Sequence, residues 1–521
     1  MKKLAITLSF CVGLLSLSQE ICWIRIVSFG QQTRPHAFSL VLIAFLVGIA
    51  AGSIVGRQIC ARSGRILAAA ALTLLIASAF DFTSLYLMGS TDLGLTLGSP
   101  RRMLAVLFLI GTSAALKGVL FPIVHHLGTT DTANRVGRSV SRVYVANVAG
   151  STLGPVLTGF VLLDVMTVEQ VFALIGLGTA VLALIASRYD AGAFNVRVAA
   201  PVAMIAIGSL MIFRPPGVIE AITYSETKGA LKYLAQNRHG VIHLIEEEEA
   251  GRGDVTYGGN AYDGRIITNM AVNSNGLDRA YLVEAMRPHS KSSLVVGAST
   301  GAWTAVIRGL PDMASVDVVE INKGYLDVIR RYPAVAPLLT DEQIHVHIDD
   351  ARRWLKANPD ARYDLIFQNT TWHWRSYSTL LLSKEYCQEL SGHLLPSGVI
   401  AVNTTNSLDV YKTAMAVFPH VARYKSFVYM SFAELRKSPE AEAALRGSKI
   451  WGTPAFADDQ FAPNGLAHEL AYAPLESGEQ FLAHAKGAEH AQVISDLNLM
   501  TEYRHGAPPP FLWLKHVLPK D

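Results

Sequence analysis

Runs of about 20 apolar residues recur through residues 1–213 and do not continue beyond them. A helix crossing the hydrocarbon core of a bilayer needs that length. Six stretches meet or approach it, at roughly 4–29, 37–56, 66–88, 103–125, 143–163 and 170–187. A seventh, 198–213, has about 16 residues, or about 24 Å of helix, which predicts a short span or an interfacial helix. Of the 521 residues 50% are apolar and 17% charged, too greasy a balance for an ordinary soluble enzyme. MKKLAITLSFCVGLLSLS has the layout of a signal peptide. No small-residue cleavage site follows it and ICWIRIVSF continues the apolar run, so it reads as an uncleaved first span.

Positive residues set the orientation. Lys2 and Lys3 precede the first span, Arg57, Arg62 and Arg65 follow the second, Arg135, Arg138 and Arg142 separate the fourth from the fifth, and Arg188 and Arg197 follow the sixth. Six spans place all of these on the cytoplasmic side and Arg34, Arg101 and Arg102 on the other. A seventh span would carry the rest of the chain outside, so the expectation is an inner-membrane, multi-pass protein with its soluble part in the cytoplasm. Gly48, Gly52 and Gly56, and Gly150 with Gly154, have the four-residue spacing that lets helices approach closely in lipid. Glu20, Arg25 and Lys117 are ionisable groups in or near the bilayer, and pair with one another, snorkel or serve function.

A net charge of +3 gives no case for nucleic acid as a partner. Cys11, Cys22, Cys60 and Cys387 form no CxxC pair, so neither a disulfide framework nor a metal site is expected. The expected domains are a transmembrane helical bundle at 1–213, a linker and small β domain at 214–290, a nucleoside-binding catalytic domain at 291–430 and a C-terminal extension at 431–521. Within the second, GVIHLIEEEE and DVTYGGNAYDGRIITNM alternate as strands, with Gly-Gly-Asn and Asp-Gly read as turns and EEEE as a solvated tip.

A βαβ pattern follows. The strand Ser293–Val296 runs into Gly297-Ala298-Ser299-Thr300-Gly301, a helical stretch, and the strand Val316–Glu320. Glycines at such a turn let the backbone approach a ligand, and an acid about 20 residues on is placed to accept from ribose hydroxyls. After IHVHI, Asp350 either accepts from an adenine amino group or caps a helix. The strand Tyr363–Phe367 leads into Gln368-Asn369-Thr370-Thr371-Trp372-His373-Trp374-Arg375. Ligands sit beyond the carboxyl ends of strands in such sheets, so chemistry is expected in this cluster.

VVGASTG, VVEIN, IDDAR, YDLIFQN and LLPSGVIAV, in this order and spacing, resemble the spermidine synthase family, and the β region before them resembles that family's N-terminal β domain. SQEICWIRIVSFG, FLVGIAAGS and RVYVANVAGSTLGPVLTGFVLL resemble bacterial membrane proteins in which a transporter-like bundle is fused to a spermidine synthase-like domain, and VISDLNLMTEY is similar to a terminal element of such proteins. The resemblance covers about 1–430. It implies an α-helical membrane bundle of six or seven spans fused to a Rossmann-like α/β domain of the methyltransferase and spermidine synthase type. It implies that Gly297, Ser299 and Gly301 shape the cofactor loop, that Glu320 binds ribose, and that Asp350 and Ala351 bind adenine. Asp278 and Tyr281 are similar to the family's Asp-Glu…Tyr-His segment, at a shorter spacing to the glycine loop.

Two departures speak against polyamine synthesis itself. Asn369 stands where the family has its aspartate base, and the loop lacks the acid that holds the donor's aminopropyl amine. Asn369 can still accept from a nucleophile and orient its lone pair. Asn-Thr-Thr-Trp is also similar to the Asn-Pro-Pro-Tyr loop of amino-group methyltransferases, and Trp372 or Trp374 would face a sulfonium by cation–π contact. His373 is a candidate base and Arg375 a candidate clamp for a carboxylate or phosphate.

The expected function is alkyl transfer, aminopropyl or methyl, from S-adenosylmethionine or its decarboxylated form to a small-molecule or lipid-borne acceptor, among membrane lipids and with homo-oligomers left open. The alternatives are a sulfonium lyase or cyclase, and a transporter whose domain only senses the nucleoside. The orientation is testable. A fluorescent protein fused at the C-terminus should be bright and alkaline phosphatase fused there silent, whereas an active phosphatase would restore the seventh span.

Overall fold

A computed structural model describes residues 1–90, 100–129, 136–190, 193–213, 217–226, 229–369 and 372–504. Arg135, Thr370, Thr371 and the part of the C-terminal extension past 504 lie outside the described residues. The chain forms two compact units, Met1–Lys228 with Gln236–Val241, and Gly229–Ala235 with Ile242–Asp521.

Among the described residues of the first unit, six helices are long and apolar enough to cross a membrane, Lys2–Gly30, His36–Arg62, Ile66–Gly89, Met103–Gly128, Val136–Val165 and Val168–Ser187. The fourth is broken at Val119 into Pro100–Gly118 and Leu120–Gly128. Pro122 lacks an amide N–H and its ring crowds the Gly118 carbonyl, so regular helix fails there. The fifth, which contains Pro155, relaxes into a π turn over Thr158–Leu162. The seventh apolar helix is longer than expected, 20 residues from Phe194 to Phe213. It starts early because Arg197, taken as a flanking loop charge, donates to the carbonyls of Ser187 and Asp190 at 3.0 and 2.9 Å.

The small-residue stripes seat neighbouring helices. A Cβ on Gly48 or Gly52 would lie 2.2 or 2.0 Å from the carbonyl oxygens of Gly111 and Ala115. One on Gly150 or Gly154 would lie 2.0 or 2.3 Å from those of Phe10 and Leu14. Lys117 pairs with Asp81 and Gln19 rather than with Glu20, and Ser113 donates to Asp81 at 2.6 Å.

The second unit opens with a four-stranded sheet of β1 (Leu231–Asn237), β2 (Gly240–Ile245), β3 (Val255–Gly258) and β4 (Ala261–Arg265) in that order. The stretch 214–240 is thus not all linker, for it supplies β1 and a helix, Val218–Glu226. Gly259 and Asn260 make the β3–β4 turn, but Asp263-Gly264 lies inside β4 and is no turn.

The larger sheet has eight strands: β5 (Ser292–Val296), β6 (Ser315–Glu320), β7 (Ile344–Ile348), β8 (Tyr363–Gln368), β9 (Leu394–Asn403), β10 (His420–Tyr424), β11 (Phe427–Ser431) and, after the short hairpin of β12 (Lys449–Ile450) and β13 (Thr453–Pro454), β14 (Glu476–Ser477). Their order is β14-β10-β11-β9-β8-β5-β6-β7. β5 to β9 run parallel, while β11, β10 and β14 are added antiparallel. Alternate residues face two different cores. Val295, Val318, Leu365, Phe367, Val399 and Phe427 enter one, and Leu294, Val296, Ile366, Ile400 and Val428 the other. Burial on both faces makes these strands read as continuous apolar runs. Pro396-Ser397-Gly398 lie inside β9, where a register shift opposite Tyr363–Leu365 absorbs them. The C-terminal extension belongs to the same unit. Its Leu445, Phe456, Phe461 and Leu470 share the first core with Tyr281 and Val306.

Gly52→Ala should loosen the bundle by about 1–3 kcal/mol, since the methyl meets backbone that cannot give way. Gly137→Ala should be silent, with nothing within 4 Å of its Cβ position. Thermal unfolding of both variants in detergent checks the contrast.

Candidate functional site

β5 is flanked by β6 on one side and β8 on the other, so connections leave its carboxyl end in opposite directions and open a crevice there. Gly297 (φ +87°) begins the loop and Gly301 (φ +78°) caps the helix Ala302–Arg308. A side chain on Gly297 would also come within 3.3 Å of the Asn369 carbonyl oxygen. Ser299 takes a left-handed φ of +45° without being glycine. Glu320, at the end of β6, supports this turn. One carboxylate oxygen accepts from the amides of Ala298 (2.8 Å) and Ser299 (3.4 Å), the other from Asn322 (2.8 Å). Glu320 is 4% exposed. Burial pushes its carboxyl up to about 7; the amide donors oppose that rise and nearby Asp263 adds to it.

Asp350 caps the helix Ala351–Ala357 by accepting from the Arg353 amide at 3.0 Å, and Ala351 is buried beneath it. Asn369 follows β8, and its Oδ1 accepts from Asn403 at 3.0 Å. Trp372 donates to the Tyr262 carbonyl at 2.8 Å and stacks on Trp374, with ring centroids 5.8 Å apart. His373 turns toward Thr405, Nδ1 to Oγ1 at 2.7 Å. Arg375 is half-buried; burial lowers its pKa, and neighbouring Tyr325 and Asp263 raise it.

A cavity of about 630 Å³ lies at these strand ends, with Asp263, Arg279, Trp303, Asn369, Trp372 and Asn403 in its wall. His373, Arg375, Asp350 and the loop residues Gly297–Gly301 do not line it. Asn369 and Asp263 stand where loop and cavity meet, Asn369 against Gly297 and Asp263 against Ser299. The Ser299 hydroxyl reaches the Asp263 carbonyl at 2.8 Å and its carboxylate at 3.1 Å. Tyr325, five residues after Glu320 on the helix Gly324–Arg330, donates to the same carboxylate.

Residues 279–434 match the family model for the Spermine/spermidine synthase domain. A polyamine aminopropyltransferase of Prochlorococcus marinus (strain MIT 9215) is 24% identical over 275 residues, which cover 46% of this chain and 92% of that one. The polyamine aminopropyltransferase of Agathobacter rectalis is 38% identical over 88 residues, 17% of this chain and 30% of that enzyme. This is a spermidine synthase-like protein. The match to Agathobacter rectalis, and the 29% identical match to spermine synthase of Arabidopsis thaliana, each span under a third of the relative's length. A crystal structure of spermidine synthase with the transition state analogue AdoDATO aligns at 13% identity and a TM-score of 0.37, covering 47% of this chain and 85% of that one.

In the spermidine synthase-like domain the strand-end residues named from sequence cluster around one crevice, but they divide by setting. Glu320 and Asp350 are engaged with backbone amides, Asn369 faces the cavity, and His373 and Arg375 stand off it. Asp263 is the residue that sequence reasoning missed. It lies upstream of the matched stretch, and its Asp-Gly pair was read as a turn. An acid inside an alternating strand was the available signal.

Burial also pushes Glu284 up to about 7. Two acids with raised pKa values stabilise the fold most below their unfolded values, and that contribution is lost as pH rises through 7. Urea unfolding of the full-length protein should therefore show stability falling between about pH 4.5 and 7.5, by a few kcal/mol at most. Glu320→Ala should lower stability by about 1–3 kcal/mol at pH 7, because the loop amides lose their acceptor.

Proposed function

We propose that this domain moves an aminopropyl group from decarboxylated S-adenosylmethionine to an amine. The observation that carries the proposal is the meeting of Asp263 and Asn369, from different strands, at the junction of the glycine loop and the cavity. Thr300 occupies the loop position where the family has its acid, and Asp263 brings a carboxylate to the same loop from β4. It would hold the ammonium group of the transferred chain. Burial raises its pKa, while Tyr325, Arg375 and Ser299 act to keep it ionised.

Asn369 accepts from the attacking amine and aims its lone pair at the carbon bonded to the sulfonium. As the C–N bond forms, the C–S electron pair stays on sulfur and leaves as the neutral thioether, 5′-methylthioadenosine. The positive charge passes from sulfur to the new ammonium, so the step itself needs no base. The acceptor amine must arrive neutral, its proton having gone to water. Trp303 and Trp372 in the cavity wall would face the sulfonium. Glu320 would accept from ribose hydroxyls and Asp350 with Ala351 would meet the adenine edge. We further propose an inner-membrane location with this domain in the cytoplasm, supported by the six apolar helices and their flanking positive charges. The acceptor would be a small molecule or lipid-borne, with lipids around the helices.

Full-length protein incubated with the decarboxylated donor and a panel of amines should release 5′-methylthioadenosine. S-adenosylhomocysteine, formed from S-adenosylmethionine instead, would assign methyl transfer. Asn369→Ala should cut turnover roughly 10²-fold with little change in nucleoside affinity. Full activity in that variant would make the loop structural, and binding without consumption would establish a sensor.

A further inference from the structure

The charges in the cavity wall do not suit a bare polyamine. Among the described residues five Asp, Arg and Lys side chains line it: Asp263, Asp278, Arg279, Arg423 and Lys425. Asp278 is fully buried and already matched, by Lys425, by the Tyr424 hydroxyl at 2.8 Å and by the Asn273 amide at 2.7 Å. Arg423 is matched by Glu476 at 2.8 Å. Arg279 is matched by none of them. Its guanidinium lies 5.7 Å from the Phe427 ring centroid, and its Nε is buried without a hydrogen-bond partner. Among the described residues no carboxylate forms an ion pair with it. The cation beside Asp263 is Arg375, not Arg279. The cavity thus carries an acid where it meets the loop and an unmatched, fork-shaped cation elsewhere in its wall.

A diamine has a second ammonium that needs a carboxylate, and the acid available away from the loop, Asp278, is spent on Lys425. A guanidinium with a buried, unpaired N–H instead matches the paired oxygens of a carboxylate or phosphate. We infer that the acceptor is an amine bearing a carboxylate or phosphate, whose anionic end binds Arg279. The inference rests on the alkyl-transfer reading for the word acceptor, but its test does not need turnover.

Calorimetry on the full-length protein in detergent, saturated with 5′-methylthioadenosine, would compare 4-aminobutyrate, O-phosphoethanolamine and putrescine, with phosphatidylethanolamine nanodiscs as the lipid-borne arm. At least one anionic amine should bind about tenfold or more tighter than putrescine, and Arg279→Gln should abolish that advantage while Arg279→Lys keeps part of it. The affinity for 5′-methylthioadenosine, which has neither an aliphatic amine nor a carboxylate, should be the same in both variants and reports that they are folded. Tighter binding of putrescine, or anionic amines indifferent to Arg279→Gln, overturns the inference. So does a variant that loses S-adenosylmethionine but not its decarboxylated form or the acceptors, since Arg279 would then serve the donor. Arg279-dependent binding of an anionic amine with no transfer from either donor would uphold this subsite and overturn alkyl transfer.

Discussion

Glu320 accepts hydrogen bonds from the turn it faces, and the arrangement of the site follows from that. A loop with three left-handed residues, one of them a serine, is costly backbone. The buried carboxylate offsets that cost by satisfying the amides of Ala298 and Ser299, with Asn322 on its other oxygen. Ser299, so held, fastens Asp263 of the small sheet to the loop. Tyr325, on the helix that follows β6, binds Asp263 from the other side. The circuit returns to the strand from which Glu320 projects, and it joins the four-stranded sheet to the Rossmann-like one.

This circuit brings a carboxylate to a glycine loop that carries none of its own. Thr300 is fully buried, and its hydroxyl accepts from the Ala302 amide at 3.4 Å. The acid instead comes from a strand remote in sequence, where hydroxyl donors and Arg375 surround it. Asn369, lacking a titratable group, keeps the same hydrogen-bonding character across pH.

The strands of the larger sheet and their polar ends were legible because burial on both faces writes them as short apolar runs stopped by an acid or amide. The helices of the first unit were legible for length alone. What stayed hidden depended on pairing across the chain. Asp263-Gly264 carries the same letters as a hairpin turn, and only the register of β3 with β4 shows that it lies within a strand. Asp81 is one acid in an apolar run, and nothing in its spacing names Lys117 as its partner. LKYLAQN is too mixed to announce β1. The extension after 430 spreads its core residues thinly, Leu445, Phe456, Phe461 and Leu470, so no local period marks its share of the core.

Residues 491–502 run as a strap over the helices beside the crevice. Asp409 accepts from the Gln492 amide and the Thr501 hydroxyl, both at 2.7 Å, and Asp496 takes both Arg352 nitrogens at 2.9 and 2.8 Å. Glu502 accepts from Thr379, next to Ser378, whose hydroxyl reaches the carbonyls of His373 and Arg375. The segment that steadies the Trp372–Arg375 turn is thus made long after the turn itself. On the ribosome, the glycine loop and its carboxylates emerge first and must wait, with Arg352 and Asp409 short of these partners, until the strap is translated. A nascent chain that has not yet reached residue 491 holds the strands of the larger sheet but leaves Arg352 and Thr379 without the strap's carboxylates and Asp409 without its amide.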